Sequence, residues 1–141
     1  MSEGRRCGPT TPRAFSQRAN VHLGIDIGTS SVKGVVLDDS GRVVAEASTP
    51  LDASRPHPLW SEQDPADWWR ATDTTVRLLG EAIDGGLSGL RGVGVTGQMH
   101  GATLLDASDH VLRPAILWND GRSSAECAEL ESLAQIGRAH V

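Results

Sequence analysis

The decapeptide Gly24-Ile25-Asp26-Ile27-Gly28-Thr29-Ser30-Ser31-Val32-Lys33 gathers a carboxylate, a glycine turn, three hydroxyls and an ammonium within a few residues. That mixture suits a phosphate chain with its metal. Backbone N–H groups around Gly28 can form a concavity for anions, and the hydroxyls of Thr29, Ser30 and Ser31 add donors. Lys33 adds positive charge, and the Asp26 carboxylate can hold hydrated Mg²⁺. The pattern is not a Walker P-loop, which needs G-x-x-x-x-G-K-[ST] running into a helix, a string this sequence lacks. The same residues also make an ordinary turn between two strands, with Asp26 capping it through local hydrogen bonds.

Two strands must hold this turn. Val21 to Ile27 alternates apolar and other residues, and Val32 to Leu37 follows directly after the turn. Asp38-Asp39-Ser40-Gly41 signals a further turn before a third strand at Arg42 to Ala47. The segment therefore opens as a three-stranded antiparallel meander. Pro50 to Pro65, interrupted by Pro56 and Pro58, reads as an irregular connection carrying Trp60. Asp64 then suits an N-cap with Pro65 at the first helical position. Trp68, Trp69, Thr72, Val76, Leu79 and Ile83 recur with helical spacing, and Gly85-Gly86 ends that helix. Leu90 to Gly97 reads as a strand, Ala102 to Leu105 and Val111 to Leu117 as two short ones, and Ser123 to Ala134 as a last helix. Strands, a crossover helix and more strands make a mixed α/β layer. Trp60, Trp68 and Trp69 pack the core in this scheme and do not form a stacking platform.

Composition narrows the function classes. The chain has 141 residues, 38% hydrophobic and 22% charged, enough for one compact core at most. A net charge of -5, with no cluster of Lys and Arg, argues against nucleic acid as a partner. Cys7 and Cys127 share no metal-ligand spacing and no multi-bridge framework, which predicts a reduced, cytoplasmic protein. No apolar run approaches the ~18 residues needed to span a bilayer, so no membrane partner is expected.

Three more stretches join the decapeptide: Ser54-Arg55-Pro56-His57-Pro58-Leu59-Trp60-Ser61-Glu62-Gln63-Asp64-Pro65, Gly97-Gln98-Met99-His100-Gly101-Ala102, and Ile116-Leu117-Trp118-Asn119-Asp120-Gly121-Arg122. In order and spacing the four resemble the xylulokinases of the FGGY carbohydrate kinase family, from Val21 to about Gln135. The resemblance implies the N-terminal portion of an RNase H-like, actin-like ATPase domain, whose mixed sheet opens with the antiparallel meander. It implies transfer of the γ-phosphoryl of ATP, with Mg²⁺, to the 5-hydroxyl of D-xylulose, and a possible homodimer for the full-length enzyme. Asp26 matches the family's metal-linked, activity-critical aspartate, which would hold Mg²⁺ through water. Gly28, Thr29, Ser30, Ser31 and Lys33 match positions near the nucleotide phosphates. Met99 and His100 match sugar contacts, where an apolar wall and a hydrogen-bonding group serve a sugar. Without the family, Met99 is core filler and His100 a satisfied structural group. Glycerol kinases carry Gln-Arg-Glu in place of Gln98-Met99-His100, which points to a pentulose. Asp120 resembles a secondary sugar contact, and a helix cap beside a solvated Arg122 is the competing reading. The family's general base, a second aspartate, and its adenosine-binding domain lie downstream of anything in this sequence.

The two ends read differently from the middle. Residues 1–20 have no period that could bury a regular face and are expected to be disordered. Residues 136–141 depart from the family and can be encoded by a common sequencing-adapter sequence, so they are expected to be an artefact, leaving 21–135 as an incomplete, inactive kinase domain. Two rivals share the hairpin: a kinase for another pentulose or polyol, and a nucleotide-binding module of the actin or Hsp70 type with no sugar site.

Overall fold

The computed structural model describes residues 20–134. The expected disordered extension, apart from Asn20, and the expected artefact at 136–141 lie outside the described residues. Strands β1 (Val21–Ile27), β2 (Ser31–Asp38) and β3 (Val43–Pro50) form the antiparallel meander. A two-residue strand β4 (Glu62–Gln63) precedes helix α1 (Pro65–Glu81), and β5 (Leu90–Gly97) returns parallel to β1. The main sheet has the order β3-β2-β1-β5 and is mixed, as expected. Strand β6 (Ala115–Ile116) pairs antiparallel with β4 in a second small sheet, and helix α2 (Ser124–Ala134) follows.

The period of two sorts the faces of the main sheet. Val21, Leu23 and Ile25 on β1, Val32 and Val36 on β2 and Ala45 on β3 are buried on the face that α1 covers. The helix contributes Ala71, Thr75 and Leu79, spaced by four and all buried. Burial of Leu79, which is 0% exposed, contributes about 1.5–3 kcal/mol relative to leaving it in water. Gly34 lets the helix come this close: a Cβ there would stand 2.7 Å from Leu79 Cδ1 and 2.9 Å from Thr75 Cγ2. Asp64 caps α1 by accepting the Ala66 N–H at 2.9 Å, with Pro65 in the first turn. The helix ends at Glu81 with Ala82 as its C-cap, short of Ile83 and of the glycine pair expected to end it, and Gly85 and Gly86, at φ of +82° and +61°, turn the chain toward β5.

Four local expectations need correction. The third strand runs on to Pro50 because β2 offers partners as far as Ser31, which pairs with Pro50. The Pro50–Pro65 connection holds strand β4 and a bridge from Ser54 to Glu62. The two short strands expected between Ala102 and Leu117 shrink to β6 and single bridges, Ala102 to Ile116 and Leu105 to Val111. The chain between them is spent on a turn in which Asp106 accepts the N–H groups of Ser108 and His110. Trp69 does not pack the core: it is 73% exposed, because the position after the half-buried Trp68 lies about 100° round the helix.

Helix α1 lies across β2 and β3 and barely reaches β1. On the same face of β5, Val93 and Val95 are 54% and 65% exposed, and β5 is an edge strand among the described residues.

Candidate active site

Because β1 and β5 run parallel, the loops that follow them emerge at the same end of the sheet. Loops at the carboxyl ends of neighbouring parallel strands are where open α/β sheets place ligands. Here they are the hairpin turn Gly28–Ser30 and the segment from Gln98 to Gly101, joined directly by the Gln98 N–H donating to the Ile27 carbonyl at 3.0 Å.

Asp26 sits one residue before the end of β1 and faces away from α1. Its register partners are Lys33 on β2 and Thr96 on β5, so carboxylate, ammonium and hydroxyl stand in a row across three strands. Asp26 and Lys33 are both exposed. The row borders a concavity of about 840 Å³, further lined by Glu46, Ser48 and Gly94. Its floor is bare backbone where Gly24 and Gly94 pair side by side.

The hairpin turn closes through the Gly28 N–H donating to the Ser31 carbonyl at 3.0 Å. That bond withdraws Gly28 as an anion donor. Among the described residues, no protein acceptor takes the N–H of Thr29 or of Ser30, so these are the turn's free donors. The Thr29 hydroxyl donates to Gln98 Oε1 at 2.9 Å and accepts the Trp118 indole N–H at 3.1 Å. Gln63, 2% exposed, donates to the Thr29 carbonyl at 2.7 Å and accepts from Gln98 Nε2 at 3.1 Å and from Trp68 Nε1 at 2.9 Å. The turn is thus tied to β4, to α1 and to the loop after β5 by side-chain amides.

Met99 and His100 follow Gln98 and are exposed, Met99 at 73%. His100 takes φ of +61°, a left-handed conformation that a non-glycine residue adopts only when its surroundings impose it, and such residues gather at functional sites. The sequence therefore brings Asp26, the Gly28–Ser31 turn, Lys33, Met99 and His100 to one end of the sheet.

Asp120 is placed elsewhere. Its side chain is 2% exposed, and both oxygens are already engaged: Oδ1 accepts the Arg122 N–H and Nε, and Oδ2 accepts the Ser61 N–H at 2.6 Å and the Arg122 guanidinium at 2.6 Å. Neither the expected sugar contact nor the expected helix cap describes it. Arg122 is not solvated, because it also binds Glu62 at 2.8 Å, beside Arg113 at 2.7 Å, and lies over the Trp60 ring 3.7 Å from its centroid. The Arg122 hydrogen bonds hold the Asp120 carboxyl far below the usual carboxylate range, and those from Arg122 and then Arg113 lower Glu62. Asp120 in turn raises Arg122, keeping it charged. The residue of this segment that reaches the hairpin is Trp118. Neither it nor Gln63 and Gln98 stood out as site residues, since nothing in their local spacing signals bonds to a turn so distant in sequence.

Among the described residues no group of three or more His, Cys, Asp or Glu could hold a metal by itself. One carboxylate beside a turn with free N–H donors fits a hydrated Mg²⁺ whose remaining ligands are water and phosphate oxygens, the way this ion is usually bound next to nucleotides.

The model of the FGGY family of carbohydrate kinases, N-terminal domain, matches residues 21–140. A xylulose kinase of Klebsiella pneumoniae is 57% identical over 118 residues, which is 84% of this chain and 24% of the relative. A xylulose kinase of Escherichia coli is 55% identical over 112 residues, 79% of this chain and 23% of the relative. The crystal structure of a xyloylose kinase from Brucella ovis superposes with a TM-score of 0.78 at 52% identity, covering 82% of this chain and 24% of that one. The chain thus spans about a quarter of the length of these relatives.

Proposed function

The chain belongs to the FGGY family of carbohydrate kinases, and from that premise we propose that a full-length kinase carrying this segment transfers the γ-phosphoryl of ATP to the 5-hydroxyl of D-xylulose. The product is D-xylulose 5-phosphate. The observation that carries the reading is the join between the hairpin turn and the Gln98–Gly101 loop through Thr29, Gln98 and the Ile27 carbonyl. It sets a phosphate-type turn next to a segment that differs from the glycerol kinase pattern at Met99 and His100. The names of the xylulose kinases similar to this chain support D-xylulose as the acceptor.

In this reading the free N–H groups of Thr29 and Ser30 and the Lys33 ammonium hold phosphate oxygens, and Asp26 orients hydrated Mg²⁺ through water. Mg²⁺, when bound, neutralises charge on the phosphates. His100 hydrogen-bonds a sugar hydroxyl, Met99 supplies an apolar wall, and Asp120 serves the framework through Arg122 and Ser61. The acceptor oxygen forms a bond to the γ-phosphorus as the bond to the bridging oxygen breaks, a reaction that depends on alignment and charge more than on covalent help. The acceptor proton goes to a base outside residues 20–134, so the 141-residue chain alone is inactive. The same reading places the full-length enzyme in the cytoplasm as a homodimer.

The test is a panel of acceptors given to the full-length enzyme with MgATP. D-xylulose should exceed glycerol and other pentuloses in kcat/KM by about tenfold or more, the discrimination expected when a site's polar groups are left unpaired by the wrong substrate. A preference for glycerol or another pentulose would overturn the substrate assignment.

A further inference from the structure

We infer that Gln63 is a positioning residue for phosphoryl transfer, fixing the direction of the Gln98 amide and, through it, the direction of the Thr29 hydroxyl proton. The inference rests on the sugar-kinase reading above and names a residue outside its set of contacts.

A primary amide has two N–H donors and a carbonyl oxygen with two acceptor sites. Gln63 uses all four while 2% exposed. Nε2 donates to the carbonyls of Thr29 at 2.7 Å and Asp52 at 3.3 Å, and Oε1 accepts from Trp68 Nε1 at 2.9 Å and Gln98 Nε2 at 3.1 Å. Three of these partners admit only one polarity: the two main-chain carbonyls only accept, and the indole N–H only donates. Turning the Gln63 amide over would set oxygen against two carbonyls and NH₂ against the indole N–H, leaving buried groups unpaired. Its direction is therefore fixed by α1 and by the main chain.

Gln98 inherits that direction. Its NH₂ must face Gln63 Oε1, which leaves Oε1 to accept the Thr29 hydroxyl proton at 2.9 Å. The Thr29 oxygen then turns a lone pair to the Trp118 indole N–H. One buried amide thus sets the hydroxyl at the apex of the phosphate turn, anchors the loop bearing Met99 and His100, and aims the Thr29 lone pair at the Trp118 indole N–H. The three groups that must align donor and acceptor share one register because Gln63 has one allowed orientation.

The experiment uses the full-length enzyme with Gln63→Met, which keeps length and removes the polarity, and Gln63→Glu. For Gln63→Met we expect kcat/KM for both substrates to fall about 10²-fold, the size of effect a small misplacement produces. In Gln63→Glu the introduced carboxylate faces two carbonyls and regains a donor only when protonated. Its kcat/KM relative to the parent enzyme should therefore recover as pH is lowered, whereas the ratio for Gln63→Met stays flat. A readout without substrates accompanies these: the ¹⁵N-indole resonance of Trp118, assigned with Trp118→Phe, should shift and lose exchange protection in Gln63→Met although no hydrogen bond joins the two residues. If Gln63→Met does not fold, Gln98→Leu breaks the same chain one link later and must move the same resonance. Folded Gln63→Met with kcat/KM within about twofold of the parent, or a Trp118 resonance unmoved in both Gln63→Met and Gln98→Leu, overturns the inference. If the enzyme proves to use a different sugar, the substrate reading fails while the indole measurement still decides the role of Gln63.

Discussion

Two charged regions of this molecule use charge in opposite ways. At the end of the sheet, Asp26, Lys33 and His100 are exposed, and among the described residues none has a side-chain ion pair. Under the second small sheet, Glu62, Asp120, Arg113 and Arg122 are drawn together, with side chains 8%, 2%, 39% and 14% exposed. Strongly perturbed ionisation often marks catalytic groups. Here it marks the framework: Asp120 and Arg122 shift most because each pairs with the other, and both Asp120 oxygens are taken up by protein donors. Capacity for chemistry lies with the groups that the fold leaves unpaired.

The contrast can be broken or sharpened by substitution in the full-length enzyme. The largest effect is expected from Asp26→Asn. Removing the only carboxylate of the row should lower kcat by about 10²-fold or more, as loss of one transition-state electrostatic group commonly does. The melting temperature should hardly move, because Asp26 is exposed; an equal loss of stability would place Asp26 with the framework after all. Next comes His100→Ala, which should raise KM for the sugar by about tenfold, the value of one lost hydrogen bond in a site, with KM for ATP unchanged. An increase in both would mean that the strained loop, not the imidazole, was lost. Smallest in its effect on activity is Asp120→Asn, with both KM values within about twofold of the parent and a clearly lower melting temperature.

The same cluster predicts acid lability with a definite sign. Asp120 and Glu62 have ordinary values of 3.8 and 4.5, both lowered in the folded state. Carboxyls depressed by folding stabilise the native state above their ordinary values and lose that contribution as pH falls toward the folded ones. Asp38, brought down to about 2 chiefly by the Ser40 hydroxyl, behaves likewise at the turn after β2. Melting temperature should therefore fall from about pH 4.5 downward, and less steeply in Asp120→Asn. A parallel fall in parent and variant would separate Asp120 from the acid transition.

The hairpin was legible in the sequence because everything that makes it lies within ten residues: alternation in β1 and β2 and a glycine turn between them. Helix α1 was legible for similar reasons, a capping Asp64, Pro65 and a helical period. Motif resemblance singled out Met99 and His100, and the fold sets their loop beside the hairpin turn. The amide network was not legible, because Gln98 meets Gln63 across 35 residues and Trp118 meets Thr29 across 89, with no local pattern announcing either. The partners of Asp120 were hidden for the same reason. A polar residue after a strand looks available until Arg122, two residues on, and Ser61, 59 residues back, are seen to claim it.

The bare floor of the concavity has a consequence for redesign. A Cβ at Gly94 would meet nothing within 4 Å, and its φ is not left-handed, so the fold itself does not require glycine there. A glycine where alanine would fit costs about 0.4–1 kcal/mol in chain entropy. Each methyl added at Gly94 would make the groove shallower while the sheet grows firmer. Depth on this face of the sheet can be tuned one carbon at a time, from a mid-strand position whose added carbon meets no atom within 4 Å.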